Sequence, residues 1–293
     1  MEKILPLSLT RDELIAYTPE WTGERSDDGR PRVSDDIIER MRSVTITQAW
    51  GVLFGQGFRF QFEGDWLTTH PDEILCGRAA TAMFMPRRES LHKLLEERAK
   101  AAGNIGDQVS WPIYTLQKGD VYVADVMGKI ERGPIIGDNL SVAVLARTGN
   151  GVVHDAAVRD VDGLKELKGF ASYFRGVHPT YASPTVTITG INCPVKIGGV
   201  MVMPGDVVLG RGDGIIFIPP HLAERVVITS ELIRWRDRFG KQRIAEGKYL
   251  SGEIDGRWAA HIEEDFSVWL TDFEAELTFT REQMQELLKN RTW

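Results

Sequence analysis

Residues 137–168 read GDNLSVAVLARTGNGVVHDAAVRDVDGLKELK, and this stretch decides the fold. Asn139–Arg147 has helical spacing, Gly151–Asp155 predicts a buried strand, and Gly163–Leu167 predicts a short helix. Helix, buried strand and helix in succession are a piece of an α/β core. Three features in it carry chemistry. The Gly137-Asp138-Asn139-Leu140 loop exposes backbone N–H groups at a helix start, which suits a carboxylate or phosphate. Arg159 can fork onto a substrate carboxylate. Asp160 can hold a hard divalent cation through oxygen. Both follow the predicted strand, where α/β folds place ligands. A plainer reading stays open at this point: Asp138, Asn139 and Asp160 as N-caps, Gly137 as a turn, and Arg159 as a surface arginine.

Upstream, Ile74–Pro86 reads as a strand, Ser90–Ala102 as a helix with Leu91, Leu94 and Leu95 on one face, and Asp120–Asp125 as a strand. After Thr185 come short apolar runs separated by Gly, Pro and Asp: Thr185–Thr189, Val195–Ile197, Val200–Met203, Val207–Leu209 and Ile215–Ile218. Before the core, Arg11–Ala16 predicts a helix. Ser34-Asp35 caps another over Asp36–Arg42, and a third starts near Thr47 with Trp50 and Leu53 buried. Ala223–Phe239 and Arg281–Lys289 are the clearest helices of the tail, whose Trp235, Trp258 and Trp269 must pack on something, either a neighbouring subunit or a core of their own. The expected organisation is a helical and loop extension over 1–69, an α/β core over 70–225, and a C-terminal helical extension over 226–293 at an interface.

Composition excludes several classes. At 293 residues with a net charge of −7, the chain lacks the basic stripe of a nucleic-acid binder. Two cysteines, Cys76 and Cys193, are too few for a disulfide scaffold, and the six histidines lack zinc spacing. Charges arrive too early for a leader's apolar core and no membrane-spanning run occurs, so the expectation is a cytoplasmic protein without membrane contact. Gly149-Asn150-Gly151 follows a helix and precedes a strand, the reverse of a dinucleotide or S-adenosylmethionine loop. His154 reads as a strand residue and His178 as loop-borne.

In order, the Gly119–Val123 strand, Gly137–Leu140, Gly151–Asp160, the Gly198–Asp206 segment GGVMVMPGD and Asp213–Pro219 resemble the RraA-like family over residues 70–225. That family includes class II pyruvate aldolases acting on 4-hydroxy-4-methyl-2-oxoglutarate and 4-carboxy-4-hydroxy-2-oxoadipate, and regulators of ribonuclease E activity. The resemblance implies a three-layer α/β sandwich of the swivelling phosphohistidine type, assembled as homotrimers or homohexamers with sites between subunits. It implies magnesium, or manganese, on Asp160. It also implies a 2-oxo acid held by Arg159 and by the amides of Gly137, Asp138, Asn139 and Leu140, with Asp138 orienting water. The implied reaction is retro-aldol cleavage or decarboxylation to pyruvate through a metal-stabilised enolate, as in oxaloacetate decarboxylation.

The chain departs from the pattern at Gly163, where an acid is expected, with Asp162 one residue earlier, and at Arg211, where Asp is frequent. Glu246, Glu253 and Asp255 are candidates for an acid lent to a neighbour's site. Two alternatives stand beside the lyase: a non-catalytic regulator that binds a protein, and a metal-dependent lyase or hydratase on a sugar-derived acid, for which Trp66, Trp111 and Tyr114 would offer a sugar face.

Overall fold

Runs such as Leu75–Pro86 and Val152–Val158, apolar at most positions, suit strands covered on both faces. The computed structural model describes residues 9–289; the charged start of the chain and Trp293 lie outside them. Its strands are β1 (Phe62–Glu63), β2 (Leu67–Thr68), β3 (Leu75–Pro86), β4 (Asp120–Lys129), β5 (Val152–Val158), β6 (Ser172–Val177), β7 (Val186–Ile191), β8 (Val195–Ile197), β9 (Val200–Val202), β10 (Val207–Arg211) and β11 (Gly214–Ile218). The helices are α1 (Arg11–Tyr17), α2 (Asp35–Met41), α3 (Ile46–Gly55), α4 (Glu89–Ala101), α5 (Asp138–Thr148), α6 (Val161–Glu166), α7 (Pro220–Ala245), α8 (Ser251–Ile254), α9 (Ala260–Leu270) and α10 (Arg281–Lys289).

The central sheet is mixed, in the order β1-β11-β10-β3-β4-β5-β6-β2, with β7 beside the far end of β3. The β3–β4, β4–β5 and β5–β6 pairs are parallel, which requires crossover connections, and α4, α5 and α6 provide them. All three helices pack on one face, through a core that includes Phe84, Tyr122, Val144, Val158 and Leu164. On the same side, α2, α3 and α7 cover β10 and β11 through Met41, Leu53, Leu209, Ile216 and Val226. The opposite face is closed by the β8–β9 hairpin, whose Val195, Ile197 and Val202 meet Leu75, Val121 and Phe217. Helices, sheet and hairpin thus form successive layers. No helix among the described residues is long and apolar enough to cross a membrane.

Several elements differ from expectation. Trp50 is 42% exposed and stacks on Phe54, because α3 turns Ala49, Val52 and Leu53 inward. On α4 the buried face is His92, Leu95 and Ala99, leaving Leu94 out. Strand β6 went unpredicted because Ser172–Phe174 is buried on both faces and does not alternate, while β1 and β2 are too short to read. These two short strands place residues before position 70 in the central sheet.

The C-terminal helices form a core of their own around Phe239, with Trp258, Phe266 and Trp269 packed on it. Arg236 lies 3.6 Å over Trp258 and forks onto Glu263 at 2.7 and 2.9 Å, which satisfies a charge buried among aromatics. Cys76 and Cys193 are free buried thiols, each pushed up to about 12 by burial. His154 is a fully buried strand residue edge-on to Tyr122, and burial lowers its pKa to about 3, so it stays neutral.

Candidate active site

Strand β5 is buried along its whole length, and the chain emerges from it as Arg159-Asp160. Asp160 adopts a left-handed conformation (φ 57°, ψ 41°), uncommon for a residue with a side chain although Asp tolerates it best. It precedes α6, yet its side chain makes no capping hydrogen bond to that helix. The carboxylate is 43% exposed, with Oδ2 3.4 Å from Arg159 Nε. The simple capping reading therefore fails for Asp160. A left-handed turn that presents a part-exposed carboxylate with no capping duty suits a ligand site.

Gly137 is the N-cap of α5 and has no side chain with which to cap it. Among the described residues no protein acceptor takes the N–H groups of Asp138 or Leu140, the open donors of a helix start. A Cβ on Gly137 would collide with Asp160 Oδ2 and stand 3.1 Å from Arg159 Nε. Glycine is thus what lets the Arg159-Asp160 turn close onto the α5 amides. Asp138 is exposed and accepts from its neighbour's amide, Asn139 N, at 2.7 Å. Its Cβ lies 2.9 Å from where a Gly163 Cβ would be, so the place of the acid expected at 163 is taken by Asp138. Asp162, in the first turn of α6, is exposed.

Beside this turn lies a cavity of about 490 Å³. Gly137, Leu140 and Arg159 line it; Asp138, Asn139 and Asp160 do not, although Asp160 abuts the lining Gly137. Its apolar walls come from Val109, Ile135 and Ile136, and its other polar groups are Asp107, Ser110, Tyr181 and Ser183, with the Tyr181 ring 6.0 Å from the Arg159 guanidinium. Sequence reasoning missed these last four, which sit in two separate loops with no motif to mark them. Trp66, Trp111 and Tyr114 are not in the lining, and none of Glu246, Glu253 or Asp255 lines the cavity of its own chain. Arg211 donates to the carbonyls of Arg42 and Val44 and so holds the α2–α3 turn, away from this site.

One further cluster was foreshadowed by Asp155, a carboxylate inside a buried strand that must find a partner. It receives Arg175 Nε at 2.8 Å and Gly198 N at 3.3 Å, while Arg175 Nη2 reaches Glu63 Oε1 at 2.6 Å and its guanidinium lies 3.6 Å over Trp66. Glu63 in turn accepts from Gly199 N at 2.9 Å. The cluster ties β5, β6 and the residues around β1 to the β8–β9 turn. Asp125 beside it is raised by burial first and also by the charge of Asp155.

Residues 33–217 match the family model RraA-like, Aldolase/RraA, over more than half of the chain. The chain belongs to the RraA-like family. A Halalkalibacterium halodurans protein named "Putative 4-hydroxy-4-methyl-2-oxoglutarate aldolase" is 38% identical over 117 residues, 39% of this chain and 53% of that protein. Protein DlpA of Legionella pneumophila is 27% identical over 176 residues, 60% of this chain and 26% of its own length. The chain thus matches about half of the first relative and about a quarter of the second. Among solved structures, Streptomyces coelicolor RraAS2, described as an unusual member of the RNase ES inhibitor RraA protein family, superposes with a TM-score of 0.61. It is 26% identical and covers 72% of this chain and 100% of its own. A Pseudomonas syringae protein of 18% identity shares the fold, with a TM-score of 0.61 over 76% of this chain and 98% of its own.

Among the described residues no group of three His, Cys, Asp or Glu side chains could hold a metal ion. Magnesium does not need one: it keeps several waters and takes one or two carboxylates together with substrate oxygens. The uncapped, half-exposed Asp160 beside a helix start with open N–H groups fits that demand.

Proposed function

We propose that this chain is a divalent-metal-dependent carbon–carbon lyase that cleaves or decarboxylates a 2-oxo acid to give pyruvate or a related product. The observation that carries the reading is the Asp160 carboxylate, held uncapped in a left-handed turn next to Arg159 and closed over the open α5 amides by Gly137. The relative named as an aldolase supports it.

In this reading the Asp138 and Leu140 amides and the Arg159 guanidinium bind the substrate carboxylate, and the positive end of α5 favours the negative charge. Magnesium or manganese on Asp160, when bound, supplies Lewis-acid polarisation of the 2-oxo group. Arg159 adds fixed positive charge where the enolate oxygen develops, the term that usually contributes most to such reactions. Asp138 positions a water that takes the proton of the C4 hydroxyl. The C3–C4 electron pair then passes into the enolate, which the same water, now carrying that proton, reprotonates at C3. For oxaloacetate the leaving group is carbon dioxide and no base is needed. Ile135, Ile136 and Leu140 keep bulk water from the enolate. Assembly as a homotrimer or homohexamer belongs to the same proposal.

The test is pyruvate release from oxaloacetate with magnesium and with chelator, for the native chain and Asp160→Ala. Magnesium-dependent release above the spontaneous blank, lost in the variant, is expected. The likeness to RraAS2 favours a second reading, a regulator that binds a protein partner. No release above the blank would move the assignment there.

A further inference from the structure

The cavity is larger than pyruvate alone requires, and the second charged side chain in its lining indicates what the rest of the substrate is. Asp107 and Arg159 are the charged side chains in its lining. The proposed lyase reaction engages Arg159 with the 2-oxo acid, so the acceptor half meets Asp107. That carboxylate is fixed in place: Oδ1 accepts from Val109 N at 3.2 Å and Oδ2 from Ser183 Oγ at 2.6 Å. A carboxylate has about four lone-pair positions, so roughly two remain for donors from a ligand. Ser110 Oγ, also in the lining, makes no hydrogen bond among the described residues. Tyr181, 54% exposed, also lines the cavity, its ring 6.0 Å from the Arg159 guanidinium.

The cationic side chains of the adjoining cavity are already engaged. A second arginine lines this adjoining cavity of about 240 Å³, which shares Asp107, Val109 and Ser183 with the first. This is Arg87, whose Nε is 2.9 Å from Glu89 Oε2 and whose Nη1 donates to Ser183 O at 3.4 Å. His92 in that cavity has its Nε2 3.0 Å from Glu96 Oε1. A second carboxylate on the substrate would therefore face the Asp107 carboxylate with Arg87 and His92 already engaged, whereas hydroxyl groups would donate to Asp107 and exchange hydrogen bonds with Ser110 and Ser183.

We infer that the leaving half of the substrate is an uncharged hydroxylated aldehyde, not a second oxo acid, and that Asp107 with Ser110 and Ser183 selects it. This rests on the lyase reading, and its chemistry balances as a simple addition in the reverse direction. Pyruvate C3 loses a proton and bonds the aldehyde carbon, and the aldehyde oxygen gains a proton.

The test runs the reaction in that direction with magnesium and pyruvate. D-glyceraldehyde or glycolaldehyde is compared with glyoxylate or a second pyruvate as acceptor, and adducts are counted by NMR. Each rate is normalised to the same protein's oxaloacetate decarboxylation, which uses only the pyruvate half. The native chain is expected to favour the hydroxyaldehydes by at least about 10²-fold, since a closed site that leaves its polar groups unpaired rejects a ligand by about 10⁴-fold and this cavity is open to solvent. Asp107→Lys should reverse the preference. Asp107→Asn, which can keep both internal hydrogen bonds, should narrow it by about tenfold, and it serves if the lysine variant does not fold. A native preference for oxo acids, or an acceptor ratio that neither variant moves, overturns the inference while the lyase stands. Absence of oxaloacetate decarboxylation in the native chain overturns both.

Discussion

Replacing Gly163 by alanine separates the geometry of the site from the stability of the fold. Gly163 lies inside α6, where alanine favours the helix by about 1 kcal/mol. The new Cβ would stand 2.9 Å from Asp138 Cβ, against an ordinary contact range of 3.4–4 Å. Asp138 must yield by about 0.5 Å, and being exposed it can do so without opening the core. A misplacement of ~1 Å costs about 10²-fold, so half of it should cost about tenfold, or ~1.4 kcal/mol of transition-state stabilisation. The loss should fall on the proton-transfer step, which Asp138 serves, and spare oxaloacetate decarboxylation, which needs no base. The assay is therefore deuterium exchange into the pyruvate methyl group, measured beside oxaloacetate decarboxylation and a thermal melt. The expected result is exchange about tenfold slower, decarboxylation near native, and Tm unchanged or up by a few degrees. Unchanged exchange at an unchanged Tm would refute the role given to Asp138. A lower Tm would show that the clash is absorbed by the fold instead.

The remaining predictions concern the same turn and one buried acid. Gly137→Ala should leave the melt near native, because the residue is extended (φ −134°), yet reduce oxaloacetate decarboxylation by about 10²-fold by pushing Asp160 and Arg159 off the α5 start. A native rate would show that their packing there is incidental. Arg159→Lys should raise KM for oxaloacetate several-fold and lower kcat, since a point charge cannot fork onto a carboxylate; steady-state kinetics that match the native chain would contradict this. Asp206 is buried, and burial raises it to about 7 although Met203 N donates to it. A carboxyl raised above its unfolded value contributes stability that is full below about pH 4 and is lost as pH rises through about 7. The swing is at most ~4 kcal/mol by linkage. Asp206→Asn should flatten the fall in denaturant midpoint between pH 4 and 8, and parallel pH curves for the two proteins would rule this out.

The alternation of helices with apolar runs between residues 74 and 218 was legible because crossover strands are buried on both faces and their helices keep a 3.6-residue period. That Arg159 and Asp160 end a buried strand next to a helix start at Gly137 was legible for a different reason: charged residues just past an apolar run, and a glycine before a helical one. What lay beyond reading was set by tertiary contacts. No local pattern tells that Asp160 leaves α6 uncapped, that Gly163 yields its space to Asp138, or that the Asp107 and Tyr181 loops meet across one cavity. Trp50 and Leu94 were misplaced because a helix of mixed apolar faces offers more than one inward side, and the partner surface chooses. Asp155 could have been read further, since a buried carboxylate in a strand demands a cation, here Arg175.

The central claim is that Asp160 and Arg159 sustain an enolate of a bound 2-oxo acid with a divalent cation present. The most direct measurement is NMR of the pyruvate methyl signal in D2O over time, with magnesium or chelator, for the native chain and Asp160→Asn. The account predicts that the native chain with magnesium exchanges the methyl protons, and that chelation or the substitution stops the exchange. Methyl protons that persist with the native chain and magnesium, or that exchange equally fast in Asp160→Asn, would contradict it.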